Sequence, residues 1–463
     1  MKYLQINDAE IINERLIEEL IEKTKSFDRI RFNEIIEKAK KAKGLELEEV
    51  AFLINIEDPE ALEELFEVAR EVKLSIYGKR VVFFVPLYTS NECTNNCLYC
   101  GYRHDNKILH RKTLTTEDII KEAKAIESQG HKRILLVCGE DPNKTSIGHI
   151  TSAVEAIYKN CDIRRINVNA APMSIDEFKM LKESGIGTYQ IFQETYHRET
   201  YKKMHPQGQK ANYNKRITAI YNAYQGGIDD VGIGPLLGLY DYRFDVLATL
   251  MHIRHFDNFT GGVGPHTISV PRLKYAEGWA LDGIPYPISD LDFMKIVAVF
   301  RLAVPYTGII LSTREAPDLR DKLLDLGVSQ ISAGSSTSPG GYKEKEEHAN
   351  QFELADHRNL IQMMNVICEK GYIPSFCTAC YRRERTGHKF MEFAKEGEIH
   401  EFCQPNAILT FKEVLLDYGT DELKKKGEEI IKKALDEIDN IKLKEETIKR
   451  IKELEQGKRD LYF

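Results

Sequence analysis

A chain of 463 residues, 42% hydrophobic and 30% charged, exceeds the usual ceiling for one hydrophobic core, so one large globular domain with appendages is expected. Its net charge of −7 gives no electrostatic reason to propose nucleic acid or an anionic membrane as partner. The longest strongly apolar stretch, Val81 to Tyr88, is too short to span a bilayer, and Asp8, Glu10 and Glu14 among the first apolar residues are unlike a secretory signal, so a cytoplasmic protein is expected.

In chain order, the first 75 or so residues read as helices. Ile11, Ile12, Leu16, Ile17 and Leu20 recur at helical spacing, and Asp58-Pro59 looks like a cap with a proline in the first turn. Short apolar runs then alternate with amphipathic stretches. The runs are Val81–Pro86, Arg133–Cys138, Arg165–Asn169, Thr188–Phe192, Asp230–Gly234, Thr267–Val270, Gly308–Leu311 and Val328–Ser332. Between them lie helix-like segments such as Glu117–Gln129, Asp176–Glu183, Arg243–Phe256 and Leu291–Val304. Eight strand–helix pairs in about 290 residues is the arithmetic of a (β/α)8 TIM barrel, with a doubly wound open sheet as the alternative. From about Phe376 the strand rhythm stops. A cysteine-rich loop follows, then helices around Phe411–Tyr418, Asp421–Ile438 and Lys444–Glu455. The expected division is an N-terminal helical extension over 1–75, a barrel over 76–372 and a C-terminal helical domain over 373–463.

Six of the nine cysteines fall into two tight clusters, a pattern that favours metal ligation over disulfides in a large chain without a secretory signal. Cys138, Cys161 and Cys368 are left over and read as small buried thiols. The first cluster, Cys93, Cys97 and Cys100 in Cys-Thr-Asn-Asn-Cys-Leu-Tyr-Cys, lies directly after the first predicted strand. A 4Fe–4S cluster normally takes four thiolates; three leave one iron open to chelate the amino and carboxylate groups of a cofactor. Reduction of such a cluster can cleave the sulfonium of S-adenosylmethionine to methionine and a 5′-deoxyadenosyl radical. Barrel active sites sit at the C-terminal ends of the strands, where this loop belongs. Tyr99 is placed to pack against adenine. The competing reading is a structural zinc loop completed by His104 or His110. At the end of the second strand, Cys138-Gly139-Glu140-Asp141 resembles the Gly-Gly-Glu segment with which radical S-adenosylmethionine enzymes bind the methionine amino group. Glu194, in Gln193-Glu194-Thr195-Tyr196, ends the fourth strand, where such enzymes contact the ribose or sulfonium region.

Ser312 and Arg314 end predicted strand seven at the same face. Arg314 offers a planar fork for a substrate carboxylate with the Ser312 hydroxyl alongside, unless it bridges to Glu315 or Asp318 instead. The second cluster is Cys377-Thr378-Ala379-Cys380 with Cys403 after 22 intervening residues. Spacing alone leaves open a zinc knot completed by His388 or His400.

Three stretches make the sequence recognisable: Phe376-Cys-Thr-Ala-Cys-Tyr-Arg, Arg385-Thr-Gly-His-Lys-Phe-Met and Cys403-Gln-Pro-Asn-Ala. They closely resemble the C-terminal domain of the HydG family of FeFe-hydrogenase maturases. The first cysteine loop, Phe192-Gln-Glu-Thr-Tyr and Gly264-Pro-His-Thr-Ile-Ser-Val-Pro-Arg272 match the same family, so the resemblance covers nearly the whole chain. It implies a radical S-adenosylmethionine tyrosine lyase that cleaves L-tyrosine to p-cresol and dehydroglycine, then forms carbon monoxide and cyanide at an auxiliary 4Fe–4S cluster. It also implies a fifth iron at that cluster with free L-cysteine as ligand. Other hydrogenase maturases and a reductant such as ferredoxin are the implied transient partners. His266 stands at the start of predicted strand six, facing the bottom of the barrel. Alone it reads as a surface or hydrogen-bonding residue; under the resemblance it ligates the extra iron, with imidazole suited to Fe(II). The nearest competing activity is 2-iminoacetate synthase, a tyrosine lyase without the C-terminal cysteine set. A non-catalytic Fe–S carrier is the alternative of another class.

Overall fold

The computed structural model describes residues 6–344, 348–383, 385–396 and 399–463, the side chains of 394–401 excepted. Five helices open the chain, the last of them Pro59–Tyr77. Asp58 caps that helix by accepting the N–H of Ala61, and Pro59 occupies the first turn, where its missing N–H costs nothing. These helices lean on the barrel through buried and partly buried polar ties. Lys295 donates to the Ile56 carbonyl at 3.1 Å, Arg254 to Leu45 at 2.6 Å and the Tyr77 hydroxyl to Tyr306 at 2.6 Å.

Eight parallel strands close a TIM-type barrel: β1 (Arg80–Ser90), β2 (Arg133–Cys138), β3 (Arg165–Asn169), β4 (Tyr189–Gln190), β5 (Val231–Ile233), β6 (Thr267–Ser269), β7 (Gly308–Leu311) and β8 (Gln330–Ser332). Each pairs with the next, and β1 closes the ring by pairing with both β8 and β2. The strands are buried apolar runs, as parallel strands covered on both faces must be. The amphipathic segments between them form the outer helices, whose starts are capped by short polar side chains. Thr115, Ser174 and Ser289 each accept the N–H three residues on. One continuous core runs from Ile11 through the barrel helices to Ile438.

Two features depart from the expected pattern. A ninth strand, β9 (Ile373–Ser375), joins the sheet by pairing in parallel with Arg80–Val82. β1 is 11 residues long and has room for it below the stretch that pairs with β2. Cys403 lies not in a loop but on a helix, Ile399–Tyr418, which begins well before Phe411. Pro405 inside that helix masks its start in the sequence. The last two helices are Asp421–Asp436 and Ile441–Glu455. No helix among the described residues is long and apolar enough to cross a membrane.

Candidate active site

Inward-facing residues alternate along each strand, so one strand can line both ends of the barrel. Val82 of β1 lines a chamber at the bottom, and Phe84, Pro86 and Tyr88 line one at the top. β2 does the same with Arg133 below and Leu135 and Val137 above, as does β7 with Gly308 below and Ile310 above. The upper chamber is the larger, ≈ 170 Å³ against ≈ 60 Å³.

The upper chamber collects Cys93, Cys97, Cys100, Gly139, Glu140, Glu194, Ser312 and Arg314. The cysteine loop leaves the C-terminal end of β1 and is clamped to the end of β2. The Gly139 N–H donates to Ser90 O at 2.9 Å, and Thr94 donates to the Glu140 carbonyl through both its N–H and its hydroxyl at 3.0 Å. The approach is so close that a side-chain carbon on Gly139 would sit 2.2 Å from the Glu92 carbonyl oxygen. The three thiols are buried together. Burial, with Glu140 and Cys100 nearby, pushes Cys93 up to about 11, and burial raises Cys97 and Cys100 as well. Bound iron is what turns such thiols into thiolates. Among the described residues no three His, Cys, Asp or Glu side chains converge on a point as a mononuclear zinc site requires. His104 and His110 are exposed. Three cysteines that each take a different iron of a cubane need no such convergence, and this donor set fits a site-differentiated 4Fe–4S cluster.

The floor of the chamber is charged and almost wholly paired. Glu140 accepts from Arg216 at 2.9 Å and from Asn95 at 2.7 Å; Glu194 accepts from Lys210, with Arg216 3.6 Å away. These cations hold Glu140 below its ordinary value despite the opposing effect of burial. Asn95 belongs to the cysteine loop and also accepts the Lys210 N–H at 2.9 Å, so loop, strand end and inserted helices form one network. Glu194 has a left-handed backbone, φ 71°, uncommon outside glycine. Buried Asp245, on the helix Tyr242–Thr260, braces the residues after it: one carboxylate oxygen accepts from the Thr195 hydroxyl at 3.0 Å and the Tyr196 N–H at 2.8 Å. Lys210, Arg216 and Asp245 belong to no recognisable motif, and Asn95 lies in the cysteine loop without being one of its ligands.

Opposite, the Arg314 guanidinium lies 3.3 Å from the centre of the Phe352 ring and makes no ion pair among the described residues. The expected rival arrangement is ruled out for Glu315, which is taken by Arg272 and Lys274. Ser312 sits beside it and accepts the Arg314 N–H at 3.4 Å. Tyr99 adjoins the chamber without lining it: it is buried in an apolar cluster with Cys97, Met204, Leu236, Leu239 and Leu273, and its hydroxyl is bonded to His205 at 2.9 Å.

The lower chamber brings together Cys377, Cys380, Cys403 and His266. β9 delivers Cys377 and Cys380 beneath the barrel, and the helix Ile399–Tyr418 delivers Cys403 against Cys380, whose thiol is raised by that contact and by burial. His266 precedes β6, packs against Phe390 with ring centres 4.4 Å apart, and is depressed by burial, which keeps its imidazole neutral as a metal ligand must be. His388 is exposed, and the side chain of His400 lies outside the described set. Again three thiols with no convergent fourth donor among the described residues fit an Fe–S cluster better than a zinc knot.

A closed parallel barrel with three cysteines after β1 defines a radical S-adenosylmethionine enzyme. Residues 87–252 match the model of the radical SAM superfamily, and residues 269–373 that of the biotin and thiamin synthesis associated domain. Over 343 residues the chain is 32% identical to 2-iminoacetate synthase of Escherichia coli (strain K12), covering 73% of this chain and 89% of the relative. A crystal structure of HydG, a maturase of the FeFe-hydrogenase, superposes with TM-score 0.95 and 51% identity, over 98% of this chain and 100% of that one. HydG from Carboxydothermus hydrogenoformans follows with TM-score 0.85 and 41% identity, over 96% and 100%. The chain belongs to the HydG and 2-iminoacetate synthase family of radical SAM tyrosine lyases.

Proposed function

We propose that the chain cleaves L-tyrosine to p-cresol and dehydroglycine in the upper chamber and converts dehydroglycine to carbon monoxide and cyanide at the lower one, for assembly of the FeFe-hydrogenase H-cluster. The observation that carries this reading is the pair of three-cysteine sets at opposite ends of one barrel, each with its own chamber. When bound, the first cluster and S-adenosylmethionine supply a reductively generated 5′-deoxyadenosyl radical.

The chain's own residues do the rest by holding. Cys93, Cys97 and Cys100 anchor the first cluster, and Gly139 and Glu140 press against their loop. Glu194, fixed by Lys210, stands where a ribose or sulfonium lies in such enzymes. Arg314, without a carboxylate partner among the described residues and flanked by Ser312, takes the tyrosine carboxylate and so fixes which bond faces the radical. Below, Cys377, Cys380 and Cys403 hold the auxiliary cluster. His266 and a free L-cysteine hold an additional iron, which is cargo and leaves with the diatomic products. Other hydrogenase maturases and a ferredoxin-type reductant are transient partners in this reading.

The second reading is 2-iminoacetate synthase activity alone. The lower cysteine set speaks against it, as does coverage: the two HydG structures span 98% and 96% of this chain, the Escherichia coli synthase 73%. One assay separates them. With reductant, S-adenosylmethionine and tyrosine, the reconstituted enzyme is expected to bind about eight to nine irons per chain and to release both p-cresol and carbon monoxide. p-Cresol without carbon monoxide supports the synthase; an inert tyrosine overturns both.

A further inference from the structure

One group in the lower chamber is assigned neither by the cysteine pattern nor by the family resemblance. Asp230, the residue before β5, is 2% exposed and lines the chamber with His266 and the three cysteines. Its backbone is engaged, the carbonyl accepting the Tyr189 N–H at 3.1 Å. Its carboxylate is not: neither oxygen has a hydrogen-bond partner among the described residues. A buried carboxylate left without partners is costly for the protein alone.

The neighbouring polar groups turn elsewhere. Arg133 donates to the Cys377 carbonyl at 3.0 Å, and the Tyr381 hydroxyl is bonded to Thr188 at 3.2 Å. The adjacent Asp229 takes the Thr386 hydroxyl at 2.9 Å. His266 stands beside Asp230, with Nδ1 4.0 Å from the carboxylate oxygen. That is too long for a hydrogen bond. It is close to the separation of two donors sharing one metal ion, where bonds of about 2.0–2.2 Å place the donors about 3–4 Å apart. The two residues are fixed relative to each other, since the His266 N–H donates to Val231 O at 2.8 Å across β5 and β6.

We propose that Asp230 is a second protein donor for the divalent iron taken by His266. The barrel then grips this iron through an imidazole–carboxylate pair on adjacent strand starts, on the side facing the Cys377, Cys380 and Cys403 set. The proposal rests on the reading of the lower chamber as an auxiliary cluster with an additional cargo iron. It adds a reason why that iron leaves while the cubane stays: two neutral-to-hard donors release Fe(II) more readily than three thiolates release a cluster.

The test is a titration of ferrous iron into full-length chain carrying both clusters, followed by the high-spin ferrous Mössbauer signal and by melting temperature. Wild type is expected to take up one iron beyond the clusters and to melt higher with it. Asp230→Asn is expected to keep both clusters and to bind the extra iron at least about 10-fold more weakly, with no ferrous-dependent rise in melting temperature. Asp230→Ala enters the same titration should the amide variant assemble poorly. Wild-type affinity in the variants overturns the assignment of Asp230 and leaves the function proposed above standing. Failure of wild type to take up any extra iron overturns both.

Discussion

Asp245 permits a worked prediction, because its cost and its purpose are both visible. It is fully buried on the helix Tyr242–Thr260; one oxygen accepts from Thr195 and Tyr196, and the other has no partner among the described residues. Burial pushes it up to about 7, the two hydrogen bonds opposing only in part. The unfolded value lies near 3.9. The folded chain therefore binds more protons than the unfolded one between those values. The stability linked to this group is complete below about pH 4 and is lost as pH rises through about 7. The whole gap is worth about 4 kcal/mol, of which about 3 kcal/mol falls between pH 5 and pH 8. Asp245→Asn keeps an acceptor for Thr195 and Tyr196 and removes the titration. Urea unfolding of the cluster-free chains at pH 5 and pH 8 should show the variant gaining on wild type by about 2–3 kcal/mol across that range. Other titrating groups cancel in the difference. A difference that does not move with pH refutes the reasoning, since Asp245 would then not be a strained carboxylate. Asp245→Ala is the complement: it strands the Thr195 hydroxyl and Tyr196 N–H, costs about 2–4 kcal/mol, and loosens the left-handed turn at Glu194.

Three further outcomes are expected. Gly139→Ala drives a carbon into the Glu92 carbonyl, and backbone does not yield as a flexible side chain does; iron analysis should show loss of the first cluster with the auxiliary one retained, alongside at least about 2 kcal/mol of lost stability. Arg314→Lys keeps the charge but loses the fork, so KM for tyrosine should rise about 10- to 100-fold while S-adenosylmethionine binding, measured by calorimetry, is unchanged. Cys380→Ala should keep p-cresol and abolish carbon monoxide in the same vial; loss of both would mean that the second site is structural or acts earlier.

The barrel was legible because each strand is a short apolar run with helix on both sides; Arg133–Cys138, Arg165–Asn169 and Gly308–Leu311 come out with the same bounds from pattern and from coordinates. The two cysteine sets were legible because chemistry concentrates in rare residues, whereas His266 stood out only through the family resemblance; the structure gathers all of them into the two chambers. What escaped is what depends on distant pairing. Ile373–Ser375 is a strand only because β1 runs long enough to offer it a free edge. The apolar cluster that buries Tyr99 is another such feature, since Met204 and Leu273 join it from far along the chain. Lys210 and Arg216 stand in no motif that marks them. Burial against Glu140 and Glu194 is a tertiary fact.

The two chambers also differ in how their charges are resolved, and this bears on what each can bind. Above, Glu140 and Glu194 are each matched to a cation of the chain, so this part of the wall is set before any ligand arrives. Arg314 lacks such a match among the described residues, and one anionic group is what that chamber still calls for. Below, the balance runs the other way. The Asp230 carboxylate and the Nε groups of Arg80, Arg133 and Arg385 are buried without hydrogen-bond partners among the described residues. Unpaired groups of both signs around buried thiols are costly for the protein alone. They become favourable only when metal and anionic ligands supply the missing partners. A preorganised upper site suits a step repeated on the same cofactor, and an unresolved lower site suits one whose ligands are delivered, built upon and released.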